Sequence, residues 1–223
     1  MTVDRWWSAV RRYDAGTLAV TSVLLVVALL ADYGFAVRTA AGQRLDVAAF
    51  GDVSLLHDLF GTPAGWLRDA APVLLAAAAL VLGVLALAHG RWRSATAGAL
   101  ATGAALAAAT VLRDVVLDRP MLGGHGYAQN TLPSGHVAAV TALALAVLLL
   151  WPGVRPAPPR WAVVGGAGVV AAAAGASVVT YAHRPSDVVA GVLVGVLATT
   201  LSCWLVRPPL AVAEPRVVAP RRA

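Results

Sequence analysis

Two of the five histidines stand where imidazole chemistry has help from neighbours. His183 is followed four positions later by Asp187, across Arg184-Pro185-Ser186. Pro185 suits the first turn of a helix, and a carboxylate four residues on comes close enough to hold an imidazole. Two readings fit that pair: a nucleophile with the group that orients it, or a His and an Asp that merely satisfy each other at a helix end. His136 closes the stretch Pro133-Ser134-Gly135-His136 ahead of a long apolar run. Ser134 can cap that helix and Gly135 removes side-chain bulk. The unpaired first-turn N–H groups, with the helix dipole behind them, then make an anion pocket that suits a phosphate. The plainer reading is a capped helix start with a chance histidine, since Pro-Ser-Gly is ordinary turn chemistry. Arg113 and Arg119 precede this stretch and Arg184 adjoins His183. Their guanidinium forks could hold phosphate oxygens while negative charge redistributes in a transition state.

The elements that must position these groups are membrane helices. Hydrophobic residues make up 59% of the 223, charged residues only 13%, and mean hydropathy is +0.76. Soluble globular domains carry about 45–50% apolar and about 25% charged residues, so an ordinary soluble domain is excluded. Six uncharged stretches, 15–31, 70–88, 94–112, 137–154, 161–182 and 188–206, are each 17 to 22 residues long. A bilayer core of about 30 Å takes roughly 20 helical residues, because every backbone polar group must be satisfied within the segment. The expectation is an all-α, polytopic membrane protein built as a six-transmembrane-helix bundle over residues 15–206. Residues 1–14 form a cytoplasmic segment and the Pro- and Arg-rich residues 207–223 a cytoplasmic tail, expected to be disordered. The first apolar run exceeds the ~7–15 residues of a signal peptide, which favours an uncleaved anchor.

All seventeen basic residues are Arg. With the N-terminus in the cytoplasm, eleven of them fall on the inner side, against only Asp4, Asp14 and Glu214 of the eleven acids. The positive-inside rule therefore sets the orientation, and Trp7, Trp92, Trp151 and Trp161 fall near inner edges with Trp66 near an outer one. In the outer segment 39–68, Phe50, Val53, Leu56 and Phe60 recur at helical spacing. That segment is either a short helix lying on the membrane or a cap over the bundle. The alanine runs and the glycines at 165, 166, 168, 175, 191 and 195 point to close helix packing. A pI near 10.7 invites nucleic acid as a partner, but arginines scattered between apolar runs follow topology instead, so no nucleic acid is expected. Cys203 is the only cysteine, which excludes an intrachain disulfide and a Cys-based metal cluster.

In this topology the outer ends of the third to sixth spans gather nearly every residue able to do chemistry. One arginine at a helix end is more often an interfacial anchor; two His, three Arg and an Asp on one side form a candidate site. Here the chain resembles the type 2 phosphatidic acid phosphatases, which share an architecture with vanadium haloperoxidases and bacterial acid phosphatases. That family carries Lys, six residues, Arg-Pro; then Pro-Ser-Gly-His; then Ser-Arg, five residues, His, three residues, Asp. Arg119-Pro120 is similar to the first motif, residues 133–136 match the second in full, and His183 with Asp187 match the end of the third. The resemblance implies that His183 is the nucleophile, Asp187 its orienter and His136 the general acid, with Arg119, Ser134 and Gly135 cradling phosphate.

Two positions depart from the pattern. Leu112 stands at the family Lys, with Arg113 one residue on, and Ala176-Ser177 stand at the Ser-Arg, where Arg184 offers a substitute charge. The expected function is hydrolysis of a lipid phosphate monoester or pyrophosphate at the outer face of the plasma membrane, through a phosphohistidine. The expected partners are the bilayer and its lipid phosphate, such as a polyprenyl pyrophosphate, phosphatidate or phosphatidylglycerophosphate. No metal and no cofactor is expected, since no carboxylate cluster for Mg²⁺ or Zn²⁺ is visible. The competing reading is a noncatalytic lipid-phosphate binder, supported by the loss at Ala176 and Ser177; vanadate-dependent oxidation is disfavoured by the membrane embedding. His125, Tyr127 and Asn130 either line the entrance or serve only their loop.

Overall fold

A computed structural model of the chain describes residues 15–122, 129–151 and 158–208. The expected cytoplasmic segment 1–14, His125 and Tyr127, residues 152–157 and the tail beyond 208 lie outside the described residues. All the regular structure described is helical. Helix α1 is Ala15–Asp32 and runs on into a π-helical turn, Tyr33–Val37. Then come α2 (Ala40–Asp52), α3 (Ser54–Ala88) and α4 (Trp92–Val111), the last continuing as a second π turn, Leu112–Val116. Helices α5 (Gly135–Leu150), α6 (Arg160–Val179) and α7 (Pro185–Val206) complete the chain.

Five helices are long and apolar enough to cross a membrane: α1 and α4 with their π turns, α3, α6 and α7. The sixth expected span, α5, has 16 residues, about 24 Å, and falls short of spanning length. Its setting explains the shortfall. It packs against α3, α4, α6 and α7, and ten of its residues are buried, so it is matched to its protein neighbours and not to the bilayer.

The bundle is apolar on both its faces and is held by small residues within. Val20, Leu24 and Leu30 of α1, Leu74 and Leu80 of α3, Val164 of α6 and Leu205 of α7 are exposed, as a lipid-facing surface requires. Inside, Ala97, Ala101, Ala105 and Ala109 line one face of α4, none more than 1% exposed. Helices whose tails meet apolar lipid gain nothing from hydrophobic burial against one another, so close approach of small residues must hold them. Gly191 and Gly195 of α7 show how close. A Cβ at Gly195 would lie 2.7 Å from the Thr141 Cβ and 2.8 Å from the Ala138 carbonyl oxygen, and one at Gly191 would lie 2.7 Å from the Ser134 carbonyl oxygen. Gly195→Leu is therefore expected to force α7 off α5 and lower stability by about 1–3 kcal/mol or more, read as a drop in thermal midpoint in detergent.

The outer segment differs from a single surface helix. It divides at Val53: α2 caps the bundle end, while α3 rises without interruption for 35 residues, about 52 Å. The polar residues of α2 decide this. Gln43 donates from Nε2 to the carbonyls of Val37 (2.7 Å) and Pro120 (2.6 Å), and Asp46 is 5% exposed; a helix resting on lipid would not bury them. Phe50 meets the Tyr181 ring edge-on at 5.4 Å, and the His57 ring lies 4.5 Å from the same tyrosine.

The helix ends alternate. At one end, Arg91 donates to the carbonyls of Leu149, Leu150 and Trp151 at 3.1, 3.4 and 3.2 Å, a cation closing the C-terminus of α5. At the other, Tyr33 donates to Asp118 Oδ1 (2.8 Å), as does Arg38 (2.7 Å). The Tyr33 hydrogen bond, with the Arg38 charge, holds the Asp118 carboxyl below the usual carboxylate range. That tie is present at neutral pH and opens only as pH falls through the lowered value.

Candidate active site

The second end of the bundle collects the polar residues. Helix α6 finishes in a turn: Ala182 and His183 both donate their N–H groups to the Ser177 carbonyl at 3.1 Å, and Tyr181 sits at a left-handed φ of 57°. The aromatic contacts from Phe50 and His57, with the 2.8 Å contact of His57 Nδ1 to the Val179 carbonyl, pin this turn from outside. His183 follows it and leads into α7, which begins at Pro185 and carries Asp187 in its first turn.

Asp187 is fully buried and is the node of the site. Its Oδ2 accepts from the Arg184 N–H at 3.0 Å, the N3-to-N-cap half of a capping box, and from the Thr131 hydroxyl. Its Oδ1 accepts from Arg119 Nη2 at 3.0 Å. The His183 Nδ1 stands 3.7 Å from Oδ2 and has no hydrogen-bond partner. That separation exceeds a hydrogen bond, in a class of contact that commonly tightens only around substrate. The Asp187 backbone completes the node, its carbonyl accepting from the Ser134 N–H at 2.8 Å. One residue thereby joins the starts of α5 and α7.

Ser134 caps α5, accepting from the Val137 N–H at 3.4 Å. Gly135 and His136 follow with N–H groups that have no intrahelical acceptor. A side chain on Gly135 would come within 3.9 Å of Arg113 Nη1, so the Arg113 guanidinium lies beside this helix start. Arg113 is also held by Asp114, through Nε at 2.7 Å and Nη2 at 3.1 Å. His136 is solvent-exposed in the first turn of α5.

Arg119 and Arg184 are engaged in holding the site together. Arg119, with only 3% of its side chain exposed, contacts Asp187, Ser186 Oγ (3.4 Å) and Asp46 Oδ2 (3.5 Å). Arg184, also 3% exposed, reaches the Gln129 carbonyl (3.4 Å) and Thr131 Oγ1 (3.5 Å). Asn130 serves its loop, donating to the carbonyls of Arg113 (3.0 Å) and Leu117 (2.7 Å). The Ser177 hydroxyl donates to the Ala173 carbonyl at 2.9 Å and is fully buried. Among the described residues, no three His, Cys, Asp or Glu side chains are grouped to hold a metal ion.

Sequence reasoning missed Asp46. It accepts from the Ser186 N–H (3.1 Å) and hydroxyl (2.5 Å) as well as pairing with Arg119, and so locks α2 to the first turn of α7. Its signal was an acid four residues from Gly42 on the same helical face, the face that proves buried.

The fold and site together define an all-helical protein of membrane-length apolar helices, with a Ser-capped helix start and a His-Asp pair brought together at one end. Residues 73–209, more than half of the chain, match the PAP2 superfamily model. The chain belongs to that superfamily, whose members are phosphatases, in agreement with the motif resemblance. No curated protein and no solved structure matches it significantly.

Proposed function

We propose that the protein is an integral membrane lipid phosphatase acting through a phosphohistidine. The observation that carries this reading is the 2.8 Å bond from Ser134 to Asp187, which brings the helix start bearing His136 beside the turn bearing His183. His183 Nε2 attacks phosphorus while Asp187 stabilises the imidazolium forming at Nδ1. The N–P bond forms as the bond to the leaving oxygen breaks, and His136 gives that oxygen its proton. Neutral His136 then takes a proton from water, which attacks phosphorus and frees His183. The Gly135 and His136 N–H groups and Arg113 stabilise the equatorial oxygens. Arg119 and Arg184 act through Asp187 and the 129–131 loop in this reading.

In this reading the five spanning helices and the shorter α5 make six crossings, both termini are cytoplasmic, as the arginine distribution favours, and the site lies at the outer headgroup level. A substrate there keeps its tail in the bilayer and offers its phosphate to the helix ends, as polyprenyl pyrophosphate, phosphatidate and phosphatidylglycerophosphate all do. The second reading, a lipid-phosphate binder without turnover, is favoured by Ser177, whose buried hydroxyl supplies no charge where the family has Arg.

The test is phosphate release from a panel of lipid phosphates by the purified protein in detergent with EDTA present. Turnover is expected on at least one of them and is expected to be unchanged by the chelator. Retained lipid-phosphate binding with no release from any substrate establishes the binder instead.

A further inference from the structure

We propose that Arg68 of α3 is a further phosphate-binding cation of this site, taking over the charge that the family carries at the position of Ser177. The proposal rests on the phosphatase reading and adds a residue outside the motifs and outside the 73–209 match.

Register places Arg68 in the layer of the site. Ala71, Val140 and Ala173 form one buried cluster, joining α3, α5 and α6 side by side. One turn from each of them, toward the site end of the bundle, stand Arg68 on α3, His136 on α5 and Ser177 on α6. Arg68 thus lies at the level of Ser177 and His136, on a helix packed against both of theirs.

Its bonding is incomplete in the way an anion would complete it. The Arg68 Nε is buried and has no hydrogen-bond partner. The carboxylate nearest to it, Asp69, stands at 4.0 Å with its own side chain 72% exposed. A buried guanidinium N–H left unsatisfied is costly, while the Arg68 side chain as a whole is 27% exposed and so open to an anion from the site end of the bundle. Arg113, Arg119 and Arg38 are each bound within 3.0 Å of a carboxylate; Arg68 is not. A phosphate between His183 and His136 would satisfy it with a bidentate contact.

The experiment uses the full chain in detergent, comparing wild type with Arg68→Gln, Arg68→Lys and Arg44→Gln, the last a surface arginine of α2. It reads kcat/KM on a hydrolysed lipid phosphate, and separately the rise in thermal midpoint caused by inorganic phosphate. Arg68→Gln is expected to lower kcat/KM and phosphate affinity together by about 10–100-fold. Arg68→Lys should recover part of each, and Arg44→Gln should change neither. Wild-type turnover and phosphate affinity in Arg68→Gln overturn the proposal and leave the phosphatase reading standing. A wild type that binds phosphate without turnover ends the phosphatase reading, and the phosphate arm still decides on Arg68. If Arg68→Gln fails to fold, Arg68→Lys decides: unchanged phosphate affinity overturns the proposal and a several-fold loss supports it. A wild type that neither turns over nor binds phosphate overturns both.

Discussion

His183→Ala is expected to abolish phosphate release, by about 10⁴-fold or more, while leaving the thermal midpoint nearly unchanged. The separation of the two effects follows from the bonding. The imidazole Nδ1 has no hydrogen-bond partner, and the structural bond of this residue is its backbone N–H to the Ser177 carbonyl, which alanine keeps. Removing the ring leaves the Asp187 carboxylate its donors, since it still accepts from Arg184, Thr131 and Arg119. A nucleophile held by backbone can be deleted cheaply. Phosphate release assayed beside thermal unfolding checks this, and equal loss of both would mean that His183 is part of the scaffold.

Asp187→Ala is expected to do the opposite to the fold. It leaves the Arg119 guanidinium, 3% exposed, with Asp46 as its remaining carboxylate, and deprives Thr131 and the Arg184 N–H of their acceptor. Breaking one member of a buried ion pair costs about 3–5 kcal/mol, so the midpoint should fall by many degrees and activity should vanish with it. Asp187→Asn keeps the volume and separates the roles. It should fold better than the alanine variant and still lose turnover on the order of 10³–10⁴-fold, as imidazoles lose activity when their orienting carboxylate becomes an amide. Near-wild-type turnover in Asp187→Asn would remove the orienting role and leave only the structural one.

The parts legible in the sequence were those written locally. Five of the six apolar runs of spanning length, the Ser134 cap and Pro185 at the first turn of α7 depend on neighbours a few residues away, and each stands in the structure on the helix expected of it. The His183–Asp187 spacing gave their proximity for the same reason. The length of α5 was not local: its shortness is tolerable because four helices surround it, a fact no window of residues contains. Nor was the role of Asp46, which meets Ser186 across 140 positions. The arginines were legible as charges and illegible as geometry. Arg119 is drawn to two buried carboxylates, and one of these, on α2, lies outside the motifs that drew attention to the arginine. Arg68 belongs to no motif, and its level with His136 and Ser177 comes from the register of α3 against α5 and α6.

The central claim is covalent, and the most direct measurement is of the phosphoenzyme itself. His136→Ala protein incubated with a phosphate-labelled substrate bearing a good leaving group should complete the first displacement and stall at the second. The account predicts one alkali-stable, acid-labile phosphate per chain, on the peptide containing His183, and none in the double variant that also carries His183→Ala. A wild type that turns over while His136→Ala carries no label, or carries it on another residue, would contradict it.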